Sequence, residues 1–368
     1  MAGGLAVAGS LVAPQAQAGD DGGDRRVRPL SRVSPRASAA PMGLTPAQVK
    51  QAYGFPTGYK AGSGETIAIV IPYHHPTLEA DLKVFSKTFG LRSCTKANRC
   101  LKVVNHRGGK DYPRTSSLWA MEAALDVQWA HAIAPGAKIL VVEARSDRLR
   151  DVLKAEDYAT SHADYVSNSL GLTEFAGQSS FNDHFKRPGV SIFAASGDDG
   201  AGDGPGYPST APGVIAVGGT TLIDIGKETF AEKGWKGSGG GCSRYESASS
   251  AQRAHAGYAA MNCDGKRAAP DISLVGDPRS GVSVYTSYKG TTTPWLMLGG
   301  TSAATPMIAA RAAISRKVVD DDFLYATPAP ITFRDITEGN NGLPALPGFD
   351  LVTGLGSWVD TPSAPVGQ

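Results

Sequence analysis

The sequence predicts an α/β fold: a doubly wound, mostly parallel sheet with helices on both of its faces. Short apolar runs typical of buried strands alternate along the chain with longer segments of helical periodicity, and this alternation is typical of parallel sheets. The 368 residues include 45 glycines, and only 19% of the residues are charged. That composition suits a tightly wound globular protein with many turns.

The predicted elements follow one another between residues 66 and 217. The first strand, Thr66–Ile71, precedes a helix over Pro76–Phe89 that ends at Gly90. The elements that follow are a helix over Leu118–Trp129 that stops before Pro135, strand Lys138–Glu143, a helix near Asp151, strand Tyr165–Ser169, a helix near Phe181, and strands Ser191–Ala195 and Val214–Val217.

Both ends of the chain differ from the middle in composition. Residues 1–18 join an apolar stretch to a small-residue motif, Ala16-Gln17-Ala18, and read either as a signal peptide truncated at its positively charged start or as a flexible apolar tail. Residues 19–43 are rich in Arg, Pro and Ser and predict a flexible linker with too few apolar groups for a core. Residues 44–360 then form one domain, and residues 361–368 form a C-terminal tail.

A glycine-rich turn, Gly300-Thr301-Ser302-Ala303, leads into a helix of small residues. Glycine lets the backbone approach a substrate closely, and the unpaired N–H groups of a helix start attract developing negative charge. Serine is also a common N-cap, so the motif alone does not distinguish a nucleophile from a helix start. Ser302 becomes a candidate nucleophile if the chain also supplies a base, an orienting group and an oxyanion stabiliser.

Two carboxylates lie one turn apart on the helix predicted from Leu118. Glu122 and Asp126 lie in one row with Leu118, beside an apolar row that includes Leu125 and Trp129. A solvated acidic edge is the usual place for such residues. Here almost everything around the pair is apolar, and two carboxylates so close repel each other unless they share a proton. The pair is therefore a candidate for acid–base chemistry.

A further acidic residue follows the strand predicted at Ser191–Ala195, in the turn Gly197-Asp198-Asp199-Gly200. In parallel sheets, functional groups gather at the carboxyl ends of the strands. Asp198 lies at such an end and is the candidate oxyanion stabiliser, although Asp-Asp-Gly is also a common turn sequence.

The order Glu122, Asp126, Asp198, Ser302 resembles the sedolisin family of serine-carboxyl peptidases. The resemblance extends over most of the chain, from Leu44 to Gly356. Further matching motifs are Ser167-Asn168-Ser169-Leu170-Gly171, Tyr207-Pro208, Ala216-Val217-Gly218-Gly219-Thr220, Ser238-Gly239-Gly240-Gly241 and Pro270-Asp271-Ile272-Ser273. The resemblance implies a subtilisin-like fold in a single catalytic domain.

The resemblance also implies a role for each matching residue. Ser302 is expected to be the nucleophile, and Glu122 its general base. Asp126 is expected to support Glu122, and Asp198 to provide the side-chain member of the oxyanion hole. Substrate-binding residues are expected at Ser167, Asn168, Ser169, Leu170, Gly171, Gly239 and Gly240. The expected enzyme is an acid peptidase, because an aspartic acid that donates a hydrogen bond to an oxyanion must be protonated.

A structural calcium ion is a further expectation from the resemblance. Its ligands are expected to be the carboxylates of Asp335 and Asp350 with the main-chain carbonyls of Ile336, Leu346 and Gly348. Calcium prefers several oxygen ligands, and a carbonyl ligand depends on the backbone path more than on the side chain. The alternative interpretation is a pair of aspartates in ordinary turns.

Relatives in this family are normally made with a large folded N-terminal prosegment. The segment before Leu44 is far too short to be one. The sequence is therefore interpreted as a short form that lacks the usual prosegment. Three explanations are open: the gene is truncated, the protein belongs to a shorter branch of the family, or it folds without the help of a prosegment.

Two other functions are considered. A subtilisin-type Ser/His/Asp peptidase needs a histidine base, but none of the seven histidines lies at a glycine-flanked helix start. His74 and His75 form a pair after the first strand and are interpreted as surface or cleft-rim residues rather than as a metal site. A catalytically silent binding protein with the peptidase fold is the other alternative, and retention of all four candidate catalytic residues argues against it.

The four cysteines form two pairs that are local in sequence. Cys94 with Cys100 and Cys242 with Cys263 give the favoured one of three possible disulfide connectivities, and neither pair has the spacing of a zinc knuckle. Disulfides favour a secreted, extracellular protein. The net charge of +2 gives no reason to expect a nucleic-acid partner, and no stretch is long enough to span a bilayer. We expect a monomer that acts on polypeptides.

Overall fold

The computed structural model describes residues 22–226, 229–288 and 293–360. The predicted signal peptide at residues 1–18 and the predicted tail at 361–368 lie outside the described residues, as do the first three residues of the predicted linker.

In this part of the chain the α-helices are α1 (Pro46–Tyr53), α2 (Leu78–Thr88), α3 (Ser117–Ile133), α4 (Leu149–Thr160), α5 (Ser250–Ala254), α6 (Thr301–Ser315) and α7 (Asp321–Leu324). Short 3₁₀ helices cover Gln178–Phe185, Tyr258–Met261 and Pro278–Ser280. The predicted helix near Phe181 is therefore a 3₁₀ helix. The helix predicted at Pro76–Phe89 begins two residues later, at Leu78.

The strands in the described residues are β1 (Arg28–Pro29), β2 (Arg32–Ser38), β3 (Thr66–Pro72), β4 (Leu101–Asn105), β5 (Lys138–Ala144), β6 (Tyr165–Asn168), β7 (Leu170–Thr173), β8 (Ser191–Ala195), β9 (Gly206–Tyr207), β10 (Val214–Gly226), β11 (Thr229–Gly234), β12 (Gly241–Ser247), β13 (Lys266–Ala269), β14 (Ile272–Val275), β15 (Val282–Tyr285), β16 (Trp295–Gly299), β17 (Thr332–Arg334) and β18 (Ser357–Val359). The bounds of β3, β5 and β8 agree to within one residue with the strands predicted at Thr66–Ile71, Lys138–Glu143 and Ser191–Ala195.

The central sheet has the strand order β17-β18-β14-β10-β8-β6-β3-β5-β4, and β11 pairs with β10. Within this sheet, adjacent strands are parallel except in the pairs β17 with β18 and β11 with β10, which are antiparallel. In β3, the residues from Ile67 to Pro72 are all buried, as expected for a strand covered by helices. The prediction of an α/β fold with a mostly parallel sheet is therefore confirmed.

Two helices bring the candidate site to the carboxyl edge of this sheet. Helix α6 packs against β6, β8 and β10, while α3 packs against both α6 and β3. The hydrophobic core of the domain includes Trp129 of α3 and Phe193 of β8, both fully buried. Close packing of α3 on α6 fixes the residues of one helix relative to those of the other.

Residues 22–43 do not form the predicted linker. Strand β1 pairs with β7, and β2 pairs with β16. Val27 and Leu30 are 3% and 2% exposed. The prediction was wrong because two apolar side chains and main-chain pairing with distant strands are enough to order an Arg-rich segment that could form no core by itself.

Both predicted disulfides are present, and the predicted local connectivity is confirmed. Cys94 is bonded to Cys100, and Cys242 to Cys263. The sulfur atoms of the first pair lie near His131. They are bonded to each other and are not thiolates, so this cluster is not a zinc site. No helix in the described ranges is long and apolar enough to cross a membrane.

Candidate active site

Ser302 lies in the first turn of α6 and is fully buried. The helix starts there because Gly300 adopts a φ of 99°, which a residue with a side chain rarely adopts. A Cβ atom on Gly300 would stand 2.7 Å from Asp198 Oδ2 and closer still to the main-chain carbonyl oxygen of Leu30. A glycine at position 300 therefore leaves room for a peptide group beside Ser302.

Glu122 and Asp126 lie one turn apart on α3, and both are fully buried. They were predicted to flank the buried face of the helix, but burial continues around almost the whole of it, and Leu118 in the same row is 52% exposed. Among the described residues, no atom meets hydrogen-bond geometry with any of the four carboxyl oxygens. This pair is therefore a concentration of destabilising polar groups inside the protein.

Burial raises the pKa of both carboxyl groups. For Glu122, the hydroxyls of Ser302 and Ser31 act against burial and lower the pKa, which places both hydroxyls beside its carboxyl group. For Asp126, the negative charge of Glu122 raises the pKa further, while the Ser169 hydroxyl lowers it. Two such groups favour sharing a proton over being ionised together.

Asp198 lies three residues after the end of β8, at the carboxyl edge of the sheet. Its Oδ1 accepts hydrogen bonds from the Thr301 N–H at 2.8 Å and from the Thr301 hydroxyl at 2.9 Å. Burial raises the pKa of Asp198 to about 7, although the two bonds from Thr301 and the charge of Arg32 lower it. The side chain therefore passes from the neutral to the ionised form near neutral pH. Only the neutral form carries the proton that a hydrogen-bond donor to an oxyanion needs.

The main-chain N–H of Ser302 is hydrogen-bonded to the carbonyl group of another part of the chain. The Ser302 N–H donates to the carbonyl oxygen of Leu30 at 3.0 Å. The Ser302 hydroxyl donates to the carbonyl oxygen of Ser169 at 3.3 Å, which is long for such a bond. Catalytic hydrogen bonds are often long before a reaction complex forms, so this geometry leaves the hydroxyl available to Glu122.

The residues expected to bind substrate fall into two groups. Ser169 contacts Ser302, and Leu170 and Gly171 pair with Pro29 and Arg28 in β7, the middle strand between β1 and β9. Gly239 lies against Gly197, where a Cβ atom would come within 2.6 Å of the Gly197 Cα. These positions border the site.

The other three expected substrate-binding residues lie elsewhere. Ser167 and Asn168 are fully buried in β6, and the Asn168 amide donates to Glu156 at 3.4 Å. A Cβ atom on Gly240 would meet Leu351 and Asn341 rather than any residue of the cluster. Ser167 and Asn168 thus lie within β6, and Gly240 packs against Leu351 and Asn341, so their expected contact with substrate stays a prediction.

No histidine is a hydrogen-bond partner of Ser302 in the residues that the structure describes. His74 Nδ1 lies 2.8 Å from Glu143 Oε1, and its ring stacks on Tyr112. His75 is only 3% exposed, and burial lowers its pKa to about 4. A surface or cleft-rim role was therefore the wrong interpretation for His75. The residue that approaches Ser302 is Glu122.

Sequence reasoning missed several residues that shape the cluster. Thr301 fixes Asp198 through two hydrogen bonds, and the Ser169 hydroxyl donates to the carbonyl oxygen of Ser302 at 3.3 Å. Arg32 lies near Asp198, with its Nε 3.5 Å from Asp198 Oδ2. Thr301 and Ser169 belonged to recognised motifs, but the Arg-rich composition around Arg32 gave no sign of it.

Four of the five residues expected to bind calcium meet at one turn, and the fifth, Ile336, follows Asp335 directly in the chain. The Gly348 N–H donates to Asp335 Oδ2 at 2.9 Å, and the Leu346 N–H donates to Asp350 Oδ2 at 2.8 Å. Asp350 is buried, and burial raises its pKa. The set offers only oxygen atoms as ligands, although Asp350 Oδ1 already accepts hydrogen bonds from the N–H groups of Val352 and Thr353. Residues of this kind fit a hard cation such as calcium.

Together, the fold and the cluster define a class of protein. A serine in the first turn of a helix, beside three buried carboxyl groups at the carboxyl edge of a mostly parallel sheet, is a serine-carboxyl type of site on a subtilisin-like fold.

Comparison with known proteins leads to the same class. Residues 116–336 match the model of the subtilase family. Kumamolisin from Bacillus sp. (strain MN-32) is 33% identical over 357 residues, which cover 87% of this chain and 63% of kumamolisin. Sedolisin from Pseudomonas sp. (strain 101) is 26% identical over 385 residues, with 90% of this chain and 63% of sedolisin covered.

A solved structure supports the fold independently. Pseudomonas sedolisin (serine-carboxyl proteinase), complexed with two molecules of pseudo-iodotyrostatin, superimposes with a TM-score of 0.70 at 24% identity, covering 87% of this chain and 96% of that one. The chain therefore belongs to the subtilase family and, within it, to the sedolisin family. It spans 63% of the length of kumamolisin and of sedolisin.

Proposed function

We propose that this chain is a secreted, acid-active serine-carboxyl endopeptidase that acts on polypeptides as a monomer. The observation that carries the proposal is the fully buried pair Glu122 and Asp126, one helical turn apart and beside Ser302. Buried carboxyl groups without hydrogen-bond partners are costly, and such groups with strongly raised pKa values concentrate at functional sites.

In the proposed mechanism, Glu122 accepts the proton of the Ser302 hydroxyl as the oxygen attacks the substrate carbonyl. Asp126 shares the remaining proton of the pair and so limits the negative charge on this part of α3. The Ser302 N–H and the protonated Asp198 stabilise the oxyanion. The leaving amine takes the proton from Glu122, and water then hydrolyses the acyl-enzyme.

The proposed acid activity follows from the direction of the pKa shift of Asp198. Burial raises this pKa to about 7, so the fraction of Asp198 that can donate a hydrogen bond grows as the pH falls through that value. As the pH rises through it, the donor becomes a carboxylate, which repels an oxyanion. Activity should therefore decline towards alkaline pH.

The test is hydrolysis of an unfolded polypeptide by the purified chain, after incubation in acid, across acidic to alkaline pH. We expect internal cuts, identified by mass spectrometry, at a rate that is highest in acid and falls as the pH passes about 7. A maximum at alkaline pH with an inflection at about 6.5 would favour a histidine base instead. Binding of the polypeptide without hydrolysis at any pH would favour the silent binding protein.

We also propose that one structural calcium ion binds at Asp335, Asp350 and the carbonyl oxygens of Ile336, Leu346 and Gly348. The support is the meeting of both carboxylates at the turn of residues 346–348. A bound ion would hold this turn near β17 and β18, at the edge of the central sheet. Secretion is consistent with the ion and with the two disulfides.

Removal of calcium should lower the melting temperature of the protein. A ligand that binds only the folded state stabilises it by about 2.7 kcal/mol when its free concentration is about 100-fold above Kd. The measurement is a thermal melt with and without a chelator, for the natural chain and for Asp335→Asn. The matched control is Asp322→Asn, an exposed aspartate on α7, which should keep the response to chelator. A melting curve that chelator does not change in the natural chain argues against the site.

A further inference from the structure

Glu156 is a fully buried acid on α4 that the proposed mechanism does not use. Helix α4 packs against β3, β5 and β6 of the central sheet. Glu156 Oε1 accepts a hydrogen bond from the Asn168 amide at 3.4 Å, whereas Oε2 has no hydrogen-bond partner among the described residues. No cation is among the groups that shift its pKa. An ionised Glu156 would therefore be a buried charge without compensation, which is costly.

The Asn168 amide is the natural partner of a neutral carboxyl group at this place. Asn168 is fully buried, and its Oδ1 also lacks a hydrogen-bond partner in the part of the chain that the structure describes. A carboxylic acid and a primary amide are complementary: the amide N–H donates to one carboxyl oxygen, and the acid O–H donates to the amide oxygen. With a proton on Oε2, Glu156 can satisfy both atoms that are left without a partner.

Asn168 is followed by Ser169, which contacts two of the candidate catalytic residues. The Ser302 hydroxyl donates to the Ser169 carbonyl oxygen, and the Ser169 hydroxyl donates to the Ser302 carbonyl oxygen, both at 3.3 Å. The Ser169 hydroxyl also approaches Asp126. Successive side chains of an extended chain point to opposite sides, so Asn168 reaches α4 while Ser169 reaches α6 and α3. A bond that holds Asn168 therefore also fixes the residue beside the nucleophile.

We infer that Glu156 is a positioning residue of this site: as a neutral acid it closes a two-bond pair with the Asn168 amide and thereby fixes Ser169. The inference rests on the proposed peptidase function and extends it to a residue that lies on the far side of β6. It gives Asn168 a role inside the protein, turned towards α4, in place of the contact with substrate that the sequence suggested.

The pair depends on the protonation state of Glu156. Burial raises the pKa of Glu156 to about 8, although the hydrogen bond from Asn168 lowers it, and the charge of Asp157 raises it further. Glu156 is thus neutral in acid. As the pH rises through about 8, the proton passes to solvent, the bond to Asn168 Oδ1 is lost, and a charge appears in the core. The position of Ser169 should become less well fixed over the same interval.

Other titratable groups around Glu156 do not take the place of Asn168. Asp157, the next residue on α4, has His184 of the 3₁₀ helix as its partner. Burial raises the pKa of Tyr207, as does the charge of Glu156, but the Tyr207 hydroxyl donates to Asn182 at 3.2 Å. Further titratable groups on the elements packed against α4 are Lys138 and Glu143 on β5, Tyr165 on β6 and Asp183 on the 3₁₀ helix. None of these four is among the groups that shift the pKa of Glu156.

The first experiment compares polypeptide hydrolysis by the natural chain and by Glu156→Gln. A glutamine amide can form both bonds with the Asn168 amide and needs no proton from solution. We expect equal rates in acid. The ratio of the natural to the variant rate should then fall as the pH passes about 8, to about one tenth at about pH 9. Asp198 and Glu122 are the same in both chains, so their titration cancels in the ratio.

The second experiment removes the pair without leaving a large cavity, by Glu156→Met, by Asn168→Leu and by both together. In acid, well below each melting midpoint, each single variant should lose about 10- to 100-fold in kcat with KM unchanged, because small misplacements at a catalytic site are costly. The double variant should be no worse than either single one, because both residues act through one pair.

The matched control is Leu153→Ala, which truncates an apolar side chain of α4 that is 3% exposed. It should lower the melting temperature but keep the natural kcat and a level ratio to the natural rate across the same pH range. A residue that only stabilises the fold behaves in this way, whereas a positioning residue changes kcat at temperatures where the protein is fully folded.

The outcomes separate this inference from the proposed function. A ratio of natural to Glu156→Gln rates that stays level up to about pH 9 overturns the inference and leaves the peptidase function standing. Natural kcat in Glu156→Met, folded by circular dichroism, does the same. A raised KM with natural kcat in Asn168→Leu assigns Asn168 to substrate binding and also overturns it. If Glu156→Met does not fold, the ratio decides alone. Absence of hydrolysis by the natural chain at every pH overturns both.

Discussion

Replacing Ser302 by alanine should abolish both the hydrolysis of added polypeptide and the formation of a covalent adduct with a peptide aldehyde. The change removes only the hydroxyl oxygen, whose one hydrogen bond, to the Ser169 carbonyl, is 3.3 Å long. Loss of a nucleophile that works as a unit with its base lowers turnover by on the order of 10⁶. The measurements are the initial rate in acid and the mass of the protein after incubation with the aldehyde.

The matched control is Ser315→Ala at the other end of α6. The Ser315 hydroxyl donates to the Ala312 carbonyl oxygen within the same helix and contacts no residue of the cluster. It should keep the natural rate and the adduct. Because Ser302 is packed by small groups in the first turn of a buried helix, its replacement should also leave the melting temperature within a few degrees. Normal hydrolysis by Ser302→Ala would mean that the nucleophile is elsewhere.

The sequence predicted most of the central sheet because its strands are local signals. The residues of β3, β5 and β8 are short apolar runs, bounded by turns or by helices of clear periodicity. Burial of such a run depends mainly on its own composition. Three of the four candidate catalytic residues, Glu122, Asp126 and Asp198, lie on a helix or at the end of a strand that the alternating pattern predicted. Ser302 was instead identified from its glycine-rich turn.

The segment of residues 22–43 could not be predicted in the same way. Strands β1 and β2 owe their order to partners far along the chain, since Arg28 pairs with Gly171 and Arg32 with Gly299. The described side chains of these strands show no apolar period, since Arg28, Arg32 and Val33 are all exposed. A run of Arg, Pro and Ser then looks like a linker. Only Val27 and Leu30 gave a sign of burial, and two apolar residues are too few to predict a strand.

The composition of α3 also hid a feature of the site. Glu122 and Asp126 were expected beside a buried face, because carboxylates rarely lie inside proteins. Instead, packing of α3 against α6 and the sheet buries both completely. The degree of burial is a tertiary property, and it is what raises both pKa values. The sequence pattern identified the pair of carboxyl groups, but the shift of their pKa values could be seen only once the fold was known.

Replacements of Asp198 and Glu122 should separate the two kinds of carboxyl chemistry. Asp198→Ala removes the oxyanion donor, and loss of one such donor costs about 10²–10³ in turnover, or roughly 3–4 kcal/mol. Asp198→Asn keeps the shape and supplies an N–H donor that needs no proton from solution. It should retain part of the activity in acid. Glu122→Gln should be inactive at every pH, because an amide cannot accept the proton of Ser302.

The pH dependence gives the sharper test. Burial raises the pKa of Asp198 to about 7, from an ordinary value of 3.8. The natural chain should therefore lose activity as the pH rises through about 7, because the donor ionises. Asp198→Asn should lose less over the same interval, since its donor does not titrate. Rates for the natural chain and the three variants across this range are the measurement, with Asp322→Asn on α7 as a control that should follow the natural profile.

The raised pKa of Asp198 also makes the stability of the folded protein depend on pH. Between pH 3.8 and about 7 the folded protein holds a proton at Asp198 that the unfolded chain releases. Stability from this group therefore falls as the pH rises, by on the order of 4 kcal/mol over the whole interval. Asp198→Asn should flatten that part of the stability curve, measured by denaturant unfolding. If activity is instead highest at alkaline pH and survives replacement of both Asp198 and Glu122, the serine-carboxyl mechanism is wrong.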